Sequence, residues 1–237
     1  MAQFDVIDDE GVSFVRITLD DETVRAERGA LGYLSGDITV EAKLPSATKA
    51  LKRLLAEQSL VRPAYSGTGV LNLESTYGGY HIFELGEDIW ILESGSYWAS
   101  DGSIRLSVAR ETVMTSLWSG EGLIDLQTKI SGRGKVVLKS WGPVQAIELK
   151  NERMVVDGKY VLARTAGIKY RIKRATTSIL GHLLSGERRL RVYEGTGRIL
   201  LSSYPYWRFA PVSYTHLTLP TMSTTCGCRG GGGGGGG

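Results

Sequence analysis

The stretch Ser66–Leu73, SGTGVLNL, decides the fold. Its Gly-x-Gly core looks like a loop that holds a phosphate, but the phrase returns as SGRGKVVL from Ser131 and as EGTGRILL from Glu194. A dinucleotide fingerprint needs a third glycine where these copies carry Asn72, Val137 and Leu200. A Walker loop needs Ser or Thr after its lysine, and Val136 follows Lys135. An apolar strand-like run follows each copy, so no helix N-terminus stands ready for an anion. The spacing instead predicts a hairpin turn with positive φ at its glycines, used once per structural unit.

Working outward from these glycines, the chain repeats itself with a period of about 65 residues. A glycine followed two positions later by a bulky side chain stands at Gly29 with Leu31, Gly95 with Tyr97, and Gly158 with Tyr160. An alternating segment comes next: GDITVEAK from Gly36, GSIRLSVA from Gly102 and GIKYRIKR from Gly167. Ile38, Val40 and Ala42 match Ile104, Leu106 and Val108, then Ile168, Tyr170 and Ile172, and a period of two predicts a strand with one buried face. Before each Gly-x-Gly lies SATKALKRLLAEQSL, RETVMTSLWSGEGL or ATTSILGHLLSGERRL, with Glu57, Glu121 and Glu187 in matching places. Leu51, Leu54 and Leu55 have helical spacing, which predicts a short helix there. The repeated glutamate has no histidine or second acid at fixed spacing, so a structural role at a turn is expected. The fold class expected is all-β: three pseudo-repeated sandwich-like units with short helices in a pseudo-threefold arrangement. They cover residues 3–67, 68–132 and 133–203 of one body, 1–211.

At 237 residues, with 42% hydrophobic and 22% charged side chains, the chain can bury a sizeable core without staples. No apolar run approaches the roughly 18 residues of a membrane helix, and MAQFDVIDDEGVSFV has no secretory pattern, so a cytoplasmic protein is expected. From Val212 the composition changes abruptly to VSYTHLTLPTMSTTCGCRGGGGGGGG. This tail, 212–237, resembles translated sequencing-adaptor read-through and is expected to be disordered. Cys226, Cys228 and His216 lie inside it, which leaves residues 1–211 without cysteine and removes disulfide and cysteine–zinc readings.

His81 and His182, the remaining histidines, occupy non-equivalent places in different repeats, and His81 reads as a half-buried strand residue. Nucleophile elbows and zinc-protease motifs are lacking, so no catalytic residue, cofactor or metal is expected and the protein reads as a non-enzyme. Charge is more informative. Residues 1–132 hold 11 Lys and Arg against 20 Asp and Glu, a net of −9, whereas residues 133–200 hold 15 against 5, a net of +10. Alternation puts Lys169, Arg171 and Lys173 on one strand face, with Arg174 beside them, and Arg188, Arg189 and Arg191 add to a candidate anion- or partner-binding surface. Such a face fits nucleic acid, anionic lipid or the acidic part of a neighbouring subunit, and equally a solvated face with local ion pairs and no partner. Trp90, Tyr97, Trp98, Trp118 and Trp141 stand apart from it, so core or interface is their expected home rather than a stacking platform for bases.

Taken in order, FDVIDDEGVSFVRITLDDETVRAERGALGYLSGDITVEAK, LKRLLAEQSL, LWSGEGL, SGRGKVVLKSWGPVQAIELKNERMVVDGKYVLAR and YRIKRATTSILGHLLSGERRLRVYEGTGRILLSS resemble the altered-inheritance-of-mitochondria protein twenty-four family across residues 3 to 205. The resemblance implies units like those of the tryptophan RNA-binding attenuation protein, a double-stranded β-helix-like fold. It also implies a role linked to membrane organisation and mitochondrial biogenesis in eukaryotic relatives, and it brings no catalytic residues. The expected function is therefore a non-catalytic, homo-oligomeric interaction or scaffold protein, peripheral to a membrane surface, with RNA or DNA binding through the basic third repeat as the alternative.

Overall fold

The computed structural model describes residues 1–42, 62–76, 78–112, 124–157, 160–173 and 190–203. Among them the fold is all-β, with two antiparallel seven-stranded sheets whose strands are numbered in chain order. The first sheet runs β3 (Leu31–Glu41), β4 (Ala64–Leu73), β2 (Val12–Ala26), β7 (Tyr97–Asp101), β10 (Gly134–Lys139) and β5 (Tyr80–Leu85), with β1 (Gln3–Asp9) paired to β2. The second runs β11 (Val144–Asp157), β14 (Leu190–Ser202), β12 (Val161–Thr165), β6 (Trp90–Leu92), β9 (Ile124–Ser131) and β8 (Arg105–Thr112), with β13 (Ile168–Lys173) paired to β14. The middle of the chain serves both sheets, since β5, β7 and β10 lie in the first and β6, β8 and β9 in the second. The expected short helices fall on 46–60, 110–123 and 175–190, and these fall almost wholly outside the described residues. Glu57, Glu121, Glu187, His182 and Trp118 lie outside them too, as does the tail.

Apolar burial forms three clusters. One gathers Val15, Ile17, Val24, Leu71 and Trp98 within the first sheet. A second joins Tyr97, Val136 and Leu138 of that sheet to Trp90, Leu92, Ile130 and Leu200 of the other, so it is the core that binds the two sheets. The third gathers Leu149, Ile168, Tyr193 and Ile199 in the second sheet. Trp90, Tyr97 and Trp98 are thus core residues, while Trp141 is half-buried.

The Gly-x-Gly segments are not hairpin turns. Gly67 and Gly69 sit inside β4, Gly195 and Gly197 inside β14, and Gly132 and Gly134 at the β9–β10 junction. Positive φ is present at all six, and at each a neighbouring segment approaches too closely to leave room for a Cβ atom. At Gly67, with φ +133°, a Cβ atom would lie 2.1 Å from the Asp37 carbonyl oxygen of β3. The intervening threonines have their own task. β2 carries a bulge where its register with β4 shifts between Leu19 and Glu22, and there Asp21 has φ +54° and donates its N–H to Thr68 Oγ1 at 3.0 Å. β11 repeats the device: the register with β14 shifts between Lys150 and Glu152, and Asn151, at φ +57°, donates to Thr196 Oγ1 at 3.1 Å. Each threonine satisfies an N–H that a bulge takes out of the ladder.

The bulge also resets which residues face inward. In β2, Val15, Ile17 and Leu19 are buried before it and Val24 and Ala26 after it, a change from odd to even positions. A side-chain period of two makes one inserted residue sufficient for that change, so a single long strand serves the core along its whole length.

Candidate partner-binding surface

Of the seven basic residues singled out from the sequence, the structure brings some together and separates others. Lys169 and Arg171 are exposed on β13, with Ile168 buried and Tyr170 packed on Tyr193 from the other face, as alternation requires. Lys173 ends the same strand, and Arg174, Arg188 and Arg189 lie outside the described residues. Arg191 turns inward: its side chain is 16% exposed, its Nη1 lies 2.6 Å from Glu93 Oε1, and its guanidinium stacks over Tyr170. Burial opposes its charge, but Glu93 and Tyr193 outweigh burial and raise its pKa. The exposed face is also not uniformly basic. Glu194 stands opposite Lys169 in the β13–β14 register, accepts from Arg171, and lies 3.7 Å from Arg153 of β11.

Beneath β13 is a polar group that sequence reasoning missed. Arg164 of β12 is 1% exposed, donates to the Ile168 carbonyl at 2.7 Å and to Gln127 Oε1 of β9 at 3.2 Å, and stacks over the Tyr170 ring at 5.1 Å. Gln127 in turn donates to Glu93 Oε1 at 2.9 Å. A buried guanidinium is tolerated only with partners for its donors, and these partners tie β12 and β9 to β13, with Glu93, just after β6, joined through Gln127. Tyr193 sits within this group, its pKa pushed up to about 12 by burial with Glu93 adding to the effect. The only sequence signal was an arginine in VLART flanked by core residues.

A second polar group lies where the sheets meet. Arg62 Nη2 is 3.3 Å from Glu27 Oε2 and donates to Thr128 Oγ1 of β9 at 3.1 Å, while its guanidinium lies 4.6 Å from the Tyr97 ring of β7. Burial raises the pKa of Glu27 against the pull of Arg62, and burial lowers that of Lys139, whose ammonium lies 4.6 Å from the Trp98 ring. Both polar groups are largely buried, and each joins neighbouring strands.

A surface cavity of about 380 Å³ opens on the second sheet, lined by Asp88, Glu148, Thr165, Gly167, Thr196 and Arg198. Two of its three charged residues pair, with Arg198 Nη2 2.6 Å from Asp88 Oδ2, and Glu148 is the third. His81 lies in β5, half-buried and stacked near Phe83, with its pKa lowered by burial. Among the described residues, no three of His, Cys, Asp and Glu are placed to hold a metal ion, and no helix is long and apolar enough to cross a membrane.

β3 is the other unanticipated feature. It forms an edge of the first sheet, pairing with β4 and with no other strand among the described residues. Tyr33 is 58% exposed and Val40 48%, and Asp37 and Thr39 are exposed between them. The alternation that predicted a buried face is therefore only half fulfilled here: Ile38 is half-buried, but Val40 and Ala42 are not covered. What the sequence lacked was any sign of whether a layer lay against that face.

The class is thus an all-β protein of two antiparallel sheets joined by a shared core. A family model described as Mitochondrial biogenesis AIM24 matches residues 4–204, and the chain belongs to that family. An uncharacterized protein of Streptococcus pyogenes serotype M6 is 26% identical over 229 residues, which are 91% of this chain and 91% of that one. An X-ray crystal structure of a protein from Streptococcus pyogenes matches with a TM-score of 0.69 at 24% identity, covering 89% of this chain and 97% of that chain. At that identity the likeness speaks for the fold alone.

Proposed function

We propose that this protein is a non-catalytic interaction module that self-associates and acts as a scaffold. The observation that carries this reading is the edge strand β3, eleven residues long, with Tyr33 and Val40 turned to solvent. Proteins protect such edges with lysine, proline or a covering element, and β3 contains neither lysine nor proline. The internal use of Arg164, Glu93, Glu27 and Arg62 supports the non-catalytic part, because these are the groups whose burial would otherwise mark chemistry.

We further infer three units of one design in a pseudo-threefold body. Supporting this, the N–H seven residues after each first glycine makes the same bond: Glu74 to the Ala30 carbonyl, Lys139 to that of Ser96, and Ser202 to that of Tyr160, each at 2.7 Å. The family description, mitochondrial biogenesis, fits a supporting part in organising a membrane, reached from the cytoplasmic side by peripheral attraction.

The alternative, RNA or DNA binding through the basic third repeat, draws support from exposed Lys169 and Arg171. Glu194 counts against it, since a phosphate-tracking groove gains from uninterrupted positive charge. Light scattering on the purified full chain, with titrations of single-stranded RNA and of anionic vesicles at two salt concentrations, separates these readings. Assembly without saturable RNA binding is expected. A chain that stays single and binds RNA with a steep salt dependence overturns the scaffold reading.

A further inference from the structure

We propose that β3 is the docking edge for a second copy of this chain, whose cationic β13 adds to it as the next antiparallel strand. This rests on the self-association read above and names its partner surface. Both strands are edges among the described residues: β3 pairs with β4, and β13 pairs with β14. Each therefore leaves one side of its backbone N–H and C=O groups outside the ladders, and strand addition satisfies both rows at once.

Charge selects β13 as the occupant and not a second β3. Residues 1–42 hold three arginines and no lysine against ten Asp and Glu, so two β3 edges brought together would join two acidic surfaces. β13 has the opposite sign, with Lys169, Arg171 and Lys173 in six residues and no acid. Lysines on an edge deter pairing with a like edge, but they favour an acidic one. An antiparallel register that sets Asp37 opposite Arg171 also sets Thr39 opposite Lys169 and Ile38 opposite Tyr170. One face of the new pair then holds the Asp37–Arg171 ion pair beside Thr39 and Lys169, and the other is apolar; opposite-charge and apolar cross-strand pairs both stabilise sheets. Glu194 lies next to Arg171 in the same copy, so the guanidinium would be shared between two carboxylates, a role its five donors permit. Because the two edges differ, the contact is heterologous, and copies add into a ring or a row.

The experiment uses two full-length double variants and their mixture. Asp37→Lys with Thr39→Lys makes β3 cationic, and Lys169→Glu with Arg171→Glu makes β13 acidic, so that in the proposed register each new lysine meets a new glutamate. Light scattering is expected to show each variant alone at the mass of a single chain, while the wild type is larger. Mixed one to one, the variants are expected to regain the wild-type mass, since each altered edge now meets an edge of opposite sign. Recovery in the mixture shows that both variants are folded. If the wild type assembles and both variants keep its mass, the interface lies elsewhere; this proposal falls and the scaffold reading stands. If each variant falls apart and the mixture does not recover, pairing of these two edges is refuted. A wild type that stays single at every concentration sinks both.

Discussion

β3 and β13 carry the same alternating pattern after a glycine, and each pairs with the strand that holds a Gly-Thr-Gly segment. Their surroundings differ. Tyr170 of β13 is enclosed between Tyr193 and the guanidinium groups of Arg164 and Arg191, whereas Val40 of β3 is 48% exposed. The lesson is that alternation encodes a strand and its two faces, but the burial of a face depends on what the rest of the chain brings to it. On β13 the covering is polar and cationic, held by Gln127 and Glu93; on β3 part of the inner face stays exposed.

The comparison can be broken most strongly at Arg164. Replacing it with Ala leaves Gln127 and the Ile168 carbonyl without their donor, and loss of one member of a buried charged group costs about 3–5 kcal/mol. Thermal unfolding is expected to fall accordingly, and hydrogen exchange to rise first in β13, making it resemble β3. Next in size is Gly67→Ala. The new methyl would meet the Asp37 carbonyl at 2.1 Å in a backbone conformation that L residues rarely adopt, and strain of this kind costs about 1–3 kcal/mol. Chemical denaturation should show this loss, with a smaller one for Gly11→Ala, where φ is also positive but no atom lies within 4 Å.

A smaller effect concerns pH. Burial lowers the pKa of His81 below its ordinary 6.5, so the folded chain binds fewer protons there than the unfolded chain. The stability tied to neutral His81 is present above pH 6.5 and is lost as pH falls through the lowered folded value. His81→Gln should flatten that part of the melting-temperature profile. The smallest change in stability is expected at Val40→Lys, within about 0.5 kcal/mol because the position is exposed. Its assembly, by contrast, should weaken, and unequal effects on folding and mass are what distinguish an interface strand from a core strand.

The all-β class was legible because alternation is local, and the strands after the glycines follow from it. Trp90, Tyr97 and Trp98 were expected in the core or at an interface, and the structure places them in the core. The role of the glycines was not legible, because positive φ serves a tight turn and a crowded strand position alike, and only the pairing of β4 with β3 and of β14 with β13 tells them apart. The candidate surface was legible in sign but not in depth. Lys169 and Arg171 are exposed as alternation demands, yet Arg191, one strand over, is drawn in by Glu93, a residue almost 100 positions earlier in the chain. Such pairings are decided by which strands become neighbours, and no local window contains that information.

Hydrogen exchange read by mass spectrometry across a range of protein concentrations addresses self-association through these edges directly. The account predicts that peptides covering β3 and β13 exchange rapidly in dilute solution and gain protection together as concentration rises, while β2 and β14 stay protected throughout. Protection of β3 that does not change with concentration, or that rises without any change in β13, would contradict it.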